Sequence, residues 1–122
     1  MRILIADHDP DNLKIISLKL KAHHFEVIEA KDGEEALRLI RQEKPDVAIL
    51  DVMMPKLSGF KVTRLIKFDS KLKKIPVILL TARAMETDKT LGGEMGADLY
   101  VTKPYDLDHL LQEVQRLIEK KE

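Results

Sequence analysis

Val47-Ala48-Ile49-Leu50-Asp51 is the stretch on which the fold turns. Four apolar residues follow one another without polar alternation and stop at an acid. A strand with one face in water alternates, so a short unbroken apolar run points to a strand covered on both faces. Two further runs share this character: Ile3–Ala6, which stops at Asp7, and the segment 77–80 after Pro76, which stops at Thr81. Phe25–Ile28 and Leu99–Val101 complete a set of five.

The intervening stretches carry helix signals. Asp9-Pro10 reads as an N-cap followed by proline at the first helical position, with Leu13, Ile16 and Leu20 at helical spacing behind it. Asp32-Gly33-Glu34-Glu35 resembles a capping box with Asp as the cap, and Ala36, Leu37 and Ile40 follow. Leu107, Leu110, Leu111, Val114, Leu117 and Ile118 form the clearest stripe in the chain. Strand and helix alternate about five times, which predicts a doubly wound α/β domain, a parallel sheet with helices on both faces.

In such sheets chemistry sits beyond the carboxyl ends of the strands. That rule selects Asp7-His8-Asp9 after the first run, Asp51 after the third, Thr81 after the fourth and Lys103-Pro104 after the fifth. Two or three carboxylates, a hydroxyl and an ammonium would converge on one crevice. An anionic, oxygen-rich cluster suits a hard divalent cation, which neutralises a phosphoryl group. The hydroxyl and ammonium would contact phosphoryl oxygens.

Composition narrows the class. The chain has 122 residues, 44% hydrophobic and 34% charged. That suits one domain, expected over residues 1–122 with no output domain behind it, and roughly two-thirds of the unfolded surface can be buried. Lys plus Arg is 21 and Asp plus Glu is 21, for a net charge of zero. A direct nucleic-acid binder would carry a basic surplus. With no cysteine, disulfides, thiolate metal sites and Cys nucleophiles are excluded together. No segment approaches the roughly 18 apolar residues of a membrane span, and the N-terminus lacks a signal-peptide pattern, so no membrane insertion and a cytoplasmic location are expected.

These residues resemble the receiver domain of bacterial two-component response regulators. The likeness rests on Ile3-Leu4-Ile5-Ala6-Asp7, on Ala48-Ile49-Leu50-Asp51-Val52-Met53-Met54-Pro55 with Ser58-Gly59, on Leu80-Thr81-Ala82, and on Gly96-Ala97-Asp98-Leu99-Tyr100-Val101-Thr102-Lys103-Pro104. Four motifs stand in order at the right spacing, from Ile3 to about Ile118. The resemblance implies a flavodoxin-like sheet of order 2-1-3-4-5. It implies that Asp51 accepts a phosphoryl group from the phosphohistidine of a sensor histidine kinase or histidine phosphotransfer protein. Asp7, Asp51 and the backbone carbonyl of Met53 would hold Mg2+. Lys103 and Thr81 would contact the phosphoryl oxygens, and Tyr100 would turn inward as Thr81 moves. A cis bond at Pro104 would aim the lysine. The product is a phosphoacceptor switch rather than an enzyme, promoting its own phosphotransfer and dephosphorylation and presenting residues 84–118 to a downstream protein target. An acyl phosphate on Asp is reactive toward water, as a reversible signal requires.

Two residues depart from the family pattern. His8 stands where a second acid usually ligates the metal. An imidazole there lowers the pocket's negative charge by one and favours Mn2+ or another transition ion over Mg2+; the competing reading is a loop residue facing water. Ser58 stands where Asp is frequent, and its expected role is the N-cap of the third helix. His23, His24 and His109 lack metal-ligand spacing and read as surface residues, as does the basic run Lys67, Lys71, Lys73 and Lys74, partly offset by Asp69. Gly92 and Gly93 each cost about 1 kcal/mol in a helix, so the element between Thr81 and Gly96 reads either as a frayed surface helix or as one kept soft for switching.

Two other functions fit the pattern. A degenerate receiver would bind a partner without phosphorylation, supported by His8 and opposed by Asp51, Thr81 and Lys103. A flavodoxin-like cofactor binder would need a Gly- or Ser/Thr-rich phosphate loop where the acids stand, and flavin absorbance would reveal it.

Overall fold

The apolar runs become the strands of one sheet. The computed structural model describes residues 1–82 and 96–121, and contains β1 (Arg2–Ala6), α1 (Pro10–Ala22), β2 (Glu26–Ala30), α2 (Gly33–Glu43), β3 (Val47–Asp51), α3 (Gly59–Lys67), β4 (Val77–Thr81), β5 (Leu99–Thr102) and α4 (Leu107–Lys121). All strand pairs are parallel, in the order β2-β1-β3-β4-β5. The expectation for the element around Gly92 and Gly93 lies outside the described residues.

Why the central runs are continuously apolar is visible in how they divide. Successive side chains of a strand point to opposite faces. Leu4, Ala48, Leu50, Val77 and Leu79 join the core under α2 and α3, with Ala36, Leu37, Ile40, Val62 and Ile66. Ile3, Ile5, Val47, Ile49, Ile78 and Leu80 join the core under α1 and α4, with Leu13, Ile16, Leu20, Leu110, Leu111, Val114, Leu117 and Ile118. Every residue of β3 and β4 is buried. The edge strand β2 is only partly covered.

The helices begin where their caps predict. The Asp9 side chain accepts from the Asp11 N–H at 2.9 Å with Pro10 opening α1. Asp32 accepts from the Glu35 N–H at 2.8 Å, and Glu35 reaches back to accept from the Lys31 N–H at 2.8 Å, one residue further than in the usual box. Ser58 accepts from the Lys61 N–H at 3.2 Å, capping α3.

Two expectations need correction. The second strand is not residues 25–28, because the Phe25 N–H donates to Leu20 O at 3.2 Å as the chain leaves α1, and pairing with β1 starts at Glu26 and ends at Ala30. Nor is the basic run uniformly solvated. Lys67 keeps only 15% of its side chain exposed; its Nζ donates to Ile75 O at 2.7 Å and Lys73 O at 3.1 Å and pairs with Asp98 Oδ2 at 3.0 Å. Asp98 Oδ2 also accepts from the Val77 N–H at 2.7 Å. Lys67 thus ties the end of α3 to the entrances of β4 and β5.

Candidate functional site

Four strand ends deliver the site. Asp7 directly follows β1, Asp51 and Thr81 are the last residues of β3 and β4, and Lys103 directly follows β5. Parallel pairing puts these ends at one edge: Ala6 stands beside Leu50, Asp51 beside Leu80, and Thr81 beside Thr102. Three polar side chains are buried there, Asp7 at 1%, Asp51 at 2% and Thr81 at 4% exposed. Burying carboxylates is unfavourable unless they are paired or coordinate a metal.

Asp51 has partners. Lys103 Nζ lies 3.2 Å from its Oδ1, and the Met53 N–H donates to the same oxygen at 3.4 Å. The Lys103 N–H donates to Thr81 O at 2.7 Å, which fastens the β5 end to the β4 end, and the Lys103–Pro104 peptide is cis. The loop after Asp51 is held by close backbone approach at two glycines. A Cβ on Gly59 would stand 2.4 Å from Asp51 O, and one on Gly33 would stand 1.9 Å from Leu57 O. The Gly59 N–H donates to Val52 O and the Gly33 N–H to Pro55 O. Gly33 reads from the sequence as part of a helix cap; its contact with the loop after β3 becomes visible only once α2 lies beside that loop.

Asp7 is only half satisfied. Oδ1 accepts from the Asp9 N–H at 2.9 Å, while Oδ2 is buried with no hydrogen-bond partner. Burial pushes the Asp7 carboxyl above its ordinary pKa, and the Asp51 charge adds to this, against the Asp9 N–H and Lys103. Asp7, His8 and Asp51 each offer a ligand atom, all within 4.8 Å of one another. His8 itself is exposed and lies on an open groove with Val52, Met53, Met54, Pro55 and Ser58. Asp9 is engaged as the cap of α1 and does not join this cluster. The donor set fits a divalent cation: two buried carboxylates, one with an unpartnered oxygen, stand beside an imidazole.

Two tyrosines complete the surroundings. Tyr100 packs against the core under α2 and α3; its hydroxyl is buried without a partner, and burial raises its pKa. Tyr105 escapes the sequence reading. Its pKa is pushed up to about 12, first by burial and then by the charges of Asp7, Asp51 and Asp9. Its position directly after Lys103-Pro104 is the signal that could have flagged it. His23, His24 and His109 are exposed, as expected.

Among the described residues no helix is long and apolar enough to cross a membrane. The response regulator receiver domain profile matches residues 3–115. Protein PilH of Pseudomonas aeruginosa is 40% identical over 117 residues, covering 96% of this chain and 97% of PilH. The chain spans only about half the length of several transcriptional regulators it also matches. Among solved structures, the receiver domain of the Francisella response regulator 1452 is 32% identical, with a TM-score of 0.92, covering 99% of this chain and 98% of that one. The receiver domain of the sensor histidine kinase PA1611 from Pseudomonas aeruginosa, described with a magnesium ion coordinated in its active-site cleft, is 29% identical, with a TM-score of 0.89 and 97% of each chain covered. The buried acids at the ends of β1 and β3, the lysine after β5 and these likenesses lead to one conclusion: this chain belongs to the response regulator receiver domain family.

Proposed function

We propose that residues 1–122 work as a single receiver whose phosphoacceptor is Asp51, taking a phosphoryl group from the phosphohistidine of a sensor histidine kinase or histidine phosphotransfer protein. The observation that carries this reading is the 3.2 Å pairing of Lys103 Nζ with the buried Asp51 carboxylate, beside the unsatisfied oxygen of Asp7. Asp51 Oδ attacks phosphorus as the P–N bond of the donor breaks, and the donor imidazole leaves with the electron pair. Lys103 neutralises charge on the transferred group, and the Thr81 hydroxyl contacts one of its oxygens. Phosphoryl transfer depends mainly on positioning and charge stabilisation, which these groups supply. Asp7, Asp51 and the Met53 carbonyl, with His8 alongside, would hold a divalent cation, Mg2+ in most of the family, which supplies further charge neutralisation at the phosphoryl oxygens.

The acyl phosphate formed on Asp51 is open to water, so the chain acts as a switch that promotes its own phosphorylation and dephosphorylation rather than as a turnover enzyme. Tyr100 and Thr81 transmit the change to the surface of residues 84–118, where a downstream protein docks. Neither direct nucleic-acid binding nor membrane insertion is part of this reading, and its setting is the cytoplasm.

Incubation with acetyl phosphate and a divalent cation, followed by intact mass, tests the assignment. One added phosphoryl group is expected in the wild type and none in Asp51→Asn, while Asp7→Asn labels weakly. Labelling of Asp51→Asn at wild-type stoichiometry would refute it.

A further inference from the structure

The acid cluster of this chain differs in composition from a purely oxygen-lined pocket. Its third member is the imidazole of His8, and the ligand atoms of Asp7, His8 and Asp51 lie within 4.8 Å of one another. Two donors bound to one ion through bonds of about 2.1 Å stand at most about 4.2 Å apart. Ligand atoms within 4.8 Å of one another therefore stand close to the span of a single ion. The His8 ring makes no hydrogen bond or ion pair among the described residues. Asp7 supplies the independent sign of a ligand, because its Oδ2 is buried without a partner while the residue is 1% exposed.

Asp9, the nearby acid, is not available as a third carboxylate. Asp9 Oδ1 accepts from the Asp11 N–H at 2.9 Å to cap α1, and its own N–H is held by Asp7 Oδ1 at 2.9 Å. The cluster therefore offers two carboxylates and an imidazole nitrogen, with the Lys103 ammonium 3.2 Å from one of those carboxylates. Mg2+ prefers oxygen ligands and gains most from anionic ones. First-row transition dications accept imidazole readily and bind mixed nitrogen–oxygen sites more tightly along the Irving–Williams order.

We propose that His8 is a direct ligand and that it makes this pocket a mixed nitrogen–oxygen site selecting a first-row transition dication over Mg2+. This rests on the reading of the Asp7–Asp51 pocket as the cation site of a receiver. Only the ion and the ligand atom are new.

The test uses the full chain freed of metal, at pH 8, with Mn2+ as the probe. Loss of the free Mn2+ electron paramagnetic resonance signal gives the affinity, competition with Mg2+ gives the selectivity, and pulsed measurements detect nitrogen coupled to bound Mn2+. Wild type should show the nitrogen coupling and His8→Asp and His8→Gln should lack it. The Mn2+-over-Mg2+ preference should fall by about tenfold or more in His8→Asp, the scale on which groups around a metal control affinity. His8 is exposed in a loop, and circular dichroism of each variant verifies that the fold is kept. Absence of nitrogen coupling, equal selectivity in wild type and His8→Asp, or failure to bind Mn2+ would each overturn the proposal. Acetyl phosphate labelling of the same samples separates the two readings. Labelling without nitrogen coupling leaves the receiver assignment standing and removes the His8 ligand. Nitrogen coupling without labelling by any ion keeps the ligand and removes the phosphoacceptor.

Discussion

The loop after β3 and the loop after β1 leave the same edge of the sheet and carry the two buried carboxylates, yet they are finished to different degrees. Asp51 is paired with Lys103 and with the Met53 N–H, and its loop is clamped at Gly33 and Gly59, where no side chain fits. Asp7 has one oxygen tied to the Asp9 N–H and one buried oxygen with no partner, and the next residue, His8, lies exposed. The β3 end is preorganised, its carboxylate paired and its loop clamped, whereas the β1 end keeps a buried carboxylate oxygen that a cation would satisfy.

The strongest way to break this contrast is to disturb the clamp. Gly59→Ala forces a Cβ to within 2.4 Å of Asp51 O, a backbone atom that cannot swing away. It should lower the urea midpoint by an amount worth about 3 kcal/mol, the upper range for overpacking. His8→Ala in the open loop should stay within about 0.5 kcal/mol. Equal losses in the two variants would mean that the β3 loop is no more constrained than the β1 loop.

A second measurement sharpens the electrostatic side. Because burial holds the Asp7 carboxyl above its ordinary value of 3.8, the ionised form is disfavoured in the fold. The contribution of Asp7 to metal-free stability is therefore fullest below that value, falls as pH rises through the folded pKa, and stays reduced at neutral pH. In chelator at pH 7, Asp7→Asn should melt above the wild type, by on the order of 1 kcal/mol. The two should converge near pH 3. A divalent cation at a hundredfold excess over its Kd should add about 2.7 kcal/mol to the wild type and far less to the variant, reversing the order. A variant less stable than wild type in chelator would show that the Asp7 charge is already compensated.

The smallest effect concerns the support of the clamp. Asp32 caps α2 and its Oδ2 lies 3.5 Å from Lys56 Nζ in the β3 loop. The Glu35 N–H holds the Asp32 carboxyl below its usual pKa, so its contribution is present above the ordinary value of 3.8 and is lost as pH falls through the folded one. Asp32→Asn keeps a good cap and should cost less than about 0.5 kcal/mol at pH 7. It should also make the acid limb of a pH–stability curve shallower. An unchanged acid limb would remove Asp32 from the electrostatics of this loop.

Much of the site was legible because its residues terminate apolar runs. Asp7, Asp51, Thr81 and Lys103 each follow a strand, and parallel pairing brings strand ends together whatever lies between them. Asp9 and Ser58 were legible as caps because capping is local, set within three residues. Residues acting over long separations were not. Lys67 read as one of several surface lysines, yet it meets Asp98 across 31 positions. Gly33 carries no local mark of the loop it approaches, and Tyr105 has only its place after Lys103-Pro104 to connect it with the acids.

By itself, then, the sequence determined the alternation of doubly covered strands and helices, the identity of the strand-end residues and the helix starts, because each depends on periodicity or on hydrogen bonds between near neighbours. Tertiary structure decided the start of β2, which depends on its pairing with β1 rather than on its own hydrophobicity. It decided the burial of Lys67 and the glycine clamps on the β3 loop, since these are contacts between distant segments. It also decided that Asp7 keeps a buried, unpaired oxygen and stands beside Asp51 and His8. A buried atom's partners come from every strand end that converges on it, and only the folded sheet brings those ends together.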